Sequence, residues 1–235
     1  MKGNEMAEPS NAFRDSTELT KWTKWFLHLQ VGVTLAAVIS GALEYQLLID
    51  LSNDVYAFQD EAMAAGEASD LRQQMISIAQ LVTLLVSGVL ILKWIYRANF
   101  NARQLGASGM RFTPGWSIGW YFLPVANLWK PCQAMKEIWK ASSHPQDWKT
   151  QPAPALLRWW WFFWIVSNLF GYASLRIAIN ADQINEWIAV NVTTLLSDIT
   201  NIPLCLIMLA IVNKIHEMQM VHFKHRALQP HQPEH

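Results

Sequence analysis

Residues 93–143 read KWIYRANFNARQLGASGMRFTPGWSIGWYFLPVANLWKPCQAMKEIWKASS. The stretch begins at the end of one long apolar run and ends well before the next. Between lie basic residues, a Gly-Trp pair repeated four residues later (Gly115-Trp116, Gly119-Trp120), three prolines and a basic amphipathic segment. Its apolar centre, 115–128, has 14 residues and is interrupted by Pro124. That is too short to cross a bilayer core, which takes about 20 apolar residues, and proline also removes an amide donor. The spacing predicts a re-entrant or interfacial element within 112–141. Asn127 is expected to cap the following helix, with Pro131 in its first turn. On that helix Leu128, Cys132, Met135 and Trp139 would face lipid, and Lys130, Gln133, Lys136, Glu137 and Lys140 the water.

Outward from this element, four apolar stretches, roughly 25–49, 73–97, 156–179 and 187–213, are each long enough to span a membrane. The expected fold is an all-α membrane protein of four transmembrane helices, with the interfacial helical element between the second and third. Residues 1–21 are expected to form a flexible cytoplasmic tail, 22–215 the membrane domain and 216–235 a His-rich cytoplasmic tail, helical at first. Ser40-Gly41-Ala42 resembles a signal-peptide cleavage site. The long polar leader, and an apolar run that continues past the site, argue against cleavage.

Charge sets the expected orientation. The loop Asp50–Asp70 holds six acidic residues and no Lys or Arg. With both termini inside and four spans, 16 of the 18 Lys and Arg fall on the cytoplasmic side, leaving Arg72 and Arg176 outside. The positive-inside rule then holds throughout, and a fifth span at 115–128 would break it. Twelve of the 13 Trp collect on the same side, where an apolar ring with one N–H suits the membrane interface. Both termini and the 112–141 element are thus expected at the cytoplasmic face of the membrane.

Small residues mark expected helix contacts: Gly32, Ala36 and Ser40 with Glu44 in the first span, and Ser167, Gly171 and Ser174 in the third. In the last span Asn191, Thr194, Asp198, Asn201 and Cys205 share one helical face. An ionised Asp198 near mid-membrane costs roughly 2.5–3.5 kcal/mol. It is either the centre of a proton, ion or small polar substrate site, or a neutral acid bonded to Asn or Ser on a neighbouring helix. Glu44 and Arg176 are expected to meet as an outer-side ion pair. Trp116, Trp120, Pro124, Asn127, Trp129, Trp139, Lys130, Lys136 and Lys140 form the candidate lipid or partner interface. Arg97, Arg103 and Arg111 with Asn99 and Asn101 are a weaker candidate for a phosphate-bearing ligand.

The central stretch resembles a bacterial membrane family known as domain of unknown function 4328. The resemblance rests on Arg97-Ala98-Asn99, Asn101-Ala102-Arg103, Leu105-Gly106, Phe112, Pro114-Gly115-Trp116 and Gly119-Trp120. Phe122, Pro124, Asn127-Leu128, Pro131 and Ile138-Trp139 complete it. It implies a multi-pass membrane protein and carries over no catalytic residue.

Enzyme signatures such as H-E-x-x-H, G-x-S-x-G or a P-loop are absent from the sequence. Two cysteines and a His-rich tail make a poor metal site. A zero net charge gives no ground for a nucleic-acid partner. The expected partners are membrane lipids, a second copy or another membrane protein, with no cofactor and no metal. The leading expectation is a non-enzymatic structural, interaction or sensing module at the cytoplasmic leaflet. A transporter or channel component using Asp198 follows, and a lipid-modifying enzyme is weaker.

Overall fold

The computed structural model describes residues 13–228. Six α-helices follow in order: α1 Thr17–Ser52, α2 Gln59–Gln104, α3 Pro114–Gly119, α4 Lys130–Ser143, α5 Ala155–Ala178 and α6 Ile184–Leu228. Short 3₁₀ turns at Trp120–Phe122 and Ala126–Leu128 join α3 to α4, and there is no strand among the described residues. The expected N-terminal tail over residues 1–12 and the last residues of the His-rich tail, 229–235, lie outside the described residues.

Three helices, α1, α2 and α6, are long and apolar enough to cross a membrane. With 46 residues, α2 is about 69 Å long at 1.5 Å per residue, more than twice the ~30 Å bilayer core. It starts at Gln59 rather than near Arg72, because the Ala- and Glu-rich run before Arg72 favours helix. The 24 residues of α5 fall short on hydropathy, since four Trp, Asn168 and two Arg dilute the run.

The chain divides into two compact units. Residues 22–90 and 155–211 form one, in which polarity is inverted relative to a water-soluble protein. Ile39, Met75, Leu85 and Leu169 are each at least 60% exposed, while Thr34, Ser40, Ser87, Ser167 and Asn191 are buried. In water this arrangement would sacrifice the apolar burial that drives folding; in lipid it places each group in its preferred solvent. Close packing between α5 and α6 is as the small residues suggest. Ser167 and Ser197 each donate to the other's carbonyl, and the Ser174 and Thr194 hydroxyls lie 2.7 Å apart. On α1 the close approach is at Gly41, where an added Cβ would come within 2.8 Å of Leu195, whereas Gly32 faces open space.

The other unit comprises described residues 13–21, 91–154 and 212–228. Its core is apolar: Trp94, Ile95 and Ala102 of α2, Met135, Ile138 and Ala141 of α4, and Val212 and Ile215 of α6 are all at most 1% exposed. Two segments expected as tails take part in this core. Residues 216–228 continue α6, helical as expected, with Gln219 buried and donating to Ala98 O and Ser142 Oγ. Residues 13–21 are likewise tied down. Arg14 exchanges two hydrogen bonds with the Asn101 side chain, Trp94 donates to Thr20 Oγ1, and Phe13 stacks on Phe223.

Candidate functional site

The residues that open the central stretch act as fasteners. α2 ends in a Schellman arrangement: Ala107 N–H bonds Ala102 O, Gly106 N–H bonds Arg103 O, and Gly106 takes φ +104°. The chain then folds back along its own helix. Asn99 Nδ2 donates to Phe112 O at 2.9 Å, and Arg103 donates to Met110 O, Phe112 O and Asn99 Oδ1. From α4, Glu137 Oε1 accepts the Phe112 N–H at 3.0 Å. Arg97 donates to Asp15 O. Of the set suggested for a phosphate-bearing ligand, Arg97, Asn99, Asn101 and Arg103 are thus engaged with backbone, while Arg111 is exposed.

Glu137 is buried, and burial raises its carboxyl above the ordinary carboxylate range, against the lowering effect of the backbone donors. Placing it on the water side of α4 is therefore corrected. Cys132, Met135, Ile138 and Ala141 face the protein core rather than lipid, and Trp139 is half-buried. A stripe at helical spacing carries no label for what covers it. Asn127 does not cap α4: Trp129 holds that position without a side-chain bond, and Asn127 Oδ1 is buried without a partner. Pro131 does sit in the first turn.

What this unit turns outward is the connection between α3 and α4. Thr113 caps α3 by accepting from Trp116 N–H, with Pro114 in the first turn. Beyond it Phe122 is 71% and Val125 69% exposed, with Trp116, Leu123, Leu128 and Trp129 also exposed. Pro124 lies exposed at the centre of this lip. Trp120 packs on Trp116 and lies under the Lys130 ammonium, 5.4 Å from the ring centroid. Lys136 and Lys140 are half-buried along α4. Burial raises the thiol of Cys132, so it is not poised as a nucleophile.

In the other unit, the polar face of α6 divides among three helices. Asn191 donates to Gly41 O and Glu44 Oε2 on α1. Thr194 meets Ser174 on α5, and Asp198 accepts from Gln80 on α2 at 2.9 Å. Asn201 accepts from Gln30 of α1 at 3.4 Å and from the Cys205 thiol. Gln30 also accepts from Ser87. The Glu44–Arg176 ion pair is not formed. Glu44 is bonded by Gln73 and Asn191, while Arg176 is exposed, two residues beyond the Ser174 that faces α6. Two residues along a helix is a turn of about 200°, which sends Arg176 away from the bundle.

With this geometry in hand, the family assignment follows from a family model, described as a domain of unknown function, that matches residues 59–217. The chain belongs to the DUF4328 family. No curated protein and no solved structure matches it. The DUF4328 match takes in the Arg103–Phe112–Glu137 fastening, the lip, and Asp198 with Gln80, whereas Glu44 and Gln30 on α1 lie before it. Among the described residues no cluster of His, Cys, Asp or Glu is arranged to hold a metal ion.

Sequence reasoning misplaced Glu137 and passed over Gln219, Gln30, Gln73 and Gln80. The signal available for the last three was a polar side chain inside each of two apolar runs, at positions that pair only once the helices are docked.

Proposed function

We propose that this protein is a four-span bacterial inner-membrane protein that works by binding rather than by covalent chemistry. α1, α2, α5 and α6 are the spans, and both termini lie in the cytoplasm. The unit built around α4 reads the anionic cytoplasmic leaflet through its 116–129 lip. The observation carrying this reading is the lip itself, with Phe122 and Val125 about 70% exposed and Trp116, Leu123, Leu128 and Trp129 exposed beside them, on a unit that has an apolar core of its own. An apolar tip beside Lys130 and Arg111 matches the chemistry of a leaflet, apolar within and anionic at its surface. α5 joins the spans in this reading because its Ser167 and Ser174 face α6 while Phe162, Leu169 and Leu175 are exposed. The charge asymmetry of the loops supports the orientation.

The full chain, reconstituted into bilayers containing anionic lipid, tests this with a spin label at Val125→Cys and, as a water-facing control, at Ser108→Cys. Both native cysteines are buried, which leaves the introduced thiol as the reactive one. The expected result is high oxygen and low nickel-chelate accessibility at position 125 and the reverse at 108. Equal water accessibility at both positions rejects leaflet insertion.

A further inference from the structure

Between α1, α2 and α6, inside the inverted unit, lies a partly open cavity of about 120 Å³. Its polar lining is Glu44, Gln73, Ser77, Gln80, Asn191 and Asp198, with Thr194 at the α5 side, and no Lys, Arg or His lines it. The amide orientations are fixed by their neighbours. Asn191 Nδ2 gives its protons to Gly41 O and Glu44 Oε2, both at 3.1 Å, since reversal would set oxygen against oxygen. Its Oδ1 is left buried with no partner, on a side chain only 6% exposed. An orphaned acceptor of this kind calls for an explanation, and here it stands beside a carboxylate at a cavity.

We propose that this cavity binds one small monovalent cation, coordinated by the Glu44 carboxylate and Asn191 Oδ1. A water molecule would satisfy the orphaned oxygen but bring no positive charge into direct contact with the acid, in a medium that penalises unpaired charge. Arg72 donates to Ser40 and Ser69 and makes no direct ion pair with Glu44, so its charge acts on the acid only from a distance. A divalent ion is disfavoured by spacing. Asp198 stands seven residues beyond Asn191 on α6, about 10 Å along the axis, so one ion does not reach both acids. Asp198 serves instead as a second anionic station at the other end of the cavity.

Equilibrium binding of radiolabelled Na⁺ to the full chain in nanodiscs, in N-methyl-D-glucamine chloride, tests the site. Saturable binding of one ion per chain is expected, displaced by unlabelled Na⁺ or methylammonium and untouched by the bulky N-methyl-D-glucamine. Glu44→Gln should weaken binding by about tenfold or more, as a charged ligand is lost. If that variant does not yield folded protein, Asn191→Ser, which removes the orphaned oxygen, should weaken it as well. Absence of saturable Na⁺ binding to the wild type, with no rise in melting temperature in Na⁺, K⁺ or methylammonium, overturns the proposal. Wild-type affinity in a folded Glu44→Gln or Asn191→Ser variant overturns it too. None of these outcomes depends on whether the lip inserts into lipid.

Discussion

Glu137 accepts the backbone N–H of Phe112 at 3.0 Å while Phe112 O is held by Asn99 and Arg103, so one residue is clamped on both its backbone groups from two helices. The clamp joins the end of α2 to the middle of α4 and fixes the root of the lip, since Thr113 and Pro114 follow at once. Rigid placement of an apolar tip matters for binding, because a floppy tip would lose ordering entropy on each encounter.

Burial raises the Glu137 carboxyl, so the folded state holds its proton more tightly than the unfolded chain does. Its contribution to stability is therefore complete below the unfolded carboxylate range and is lost as pH rises through the folded value. Glu137→Gln keeps an acceptor for Phe112 N–H and removes the titration. Melting curves of the full chain from pH 4 to 8 should show a smaller decline for the variant than for the wild type. Glu137→Leu strands the buried amide and should cost about 1–3 kcal/mol. Identical pH profiles for wild type and Glu137→Gln would refute this account.

Arg103 uses the planar guanidinium fork to reach three oxygens on two segments. Lysine presents a compact ammonium in place of that fork. Arg103→Lys should therefore destabilise by about 1–3 kcal/mol and raise amide exchange across 105–113, despite keeping the charge. A variant with wild-type melting temperature and exchange would show that the loop is held by other contacts.

The membrane-length helices α1, α2 and α6 were legible because an apolar run of that length has few other uses. α5 was legible only in part. Its tryptophans satisfy the interface and the core alike, and they lower its hydropathy below that of its neighbours. The second compact unit was not legible, for a physical reason: α2 and α6 remain helical beyond bilayer length, and Ile95 or Ile215 reads the same whether lipid or protein covers it. The α4 stripe failed likewise, with Glu137 placed outward by periodicity and drawn inward by the unpaired Phe112 amide. The Arg97–Arg103 cluster suggested a ligand because sequence cannot reveal that carbonyls of the returning loop and of residues 14 and 15 engage it. Asp198 was found by its cost in an apolar run. Its partner Gln80 lies 118 residues away and has no local signature.

Gly106 holds φ +104° at the end of α2, a conformation that side chains disfavour, although an added Cβ would meet only Arg226 Nη2 at 3.5 Å. The penalty of substitution is thus conformational rather than steric. Gly106→Ala should cost about 1–2 kcal/mol, read as a lower melting temperature, and Gly106→Asn less, because Asn tolerates positive φ better. Equal losses for the two would point to packing instead.

Lys130 divides anchoring from lipid selectivity. Its ammonium sits 5.4 Å from the Trp120 ring and 5.9 Å from that of Phe112, at the edge of the exposed Phe122–Val125 tip. If the tip only anchors, Phe122→Ser reduces the depth of the label at Val125→Cys equally in neutral and anionic bilayers, and Lys130→Gln changes neither. If the leaflet's charge is read, Lys130→Gln weakens engagement only where anionic lipid is present, by about 1 kcal/mol, and the loss vanishes as salt screens the surface. The position of the lysine beside the tip favours the second outcome. Spin-label depth for the three proteins across two lipid compositions and two salt concentrations decides between them, and a Lys130→Gln effect of equal size in neutral lipid would leave the residue with a packing role only.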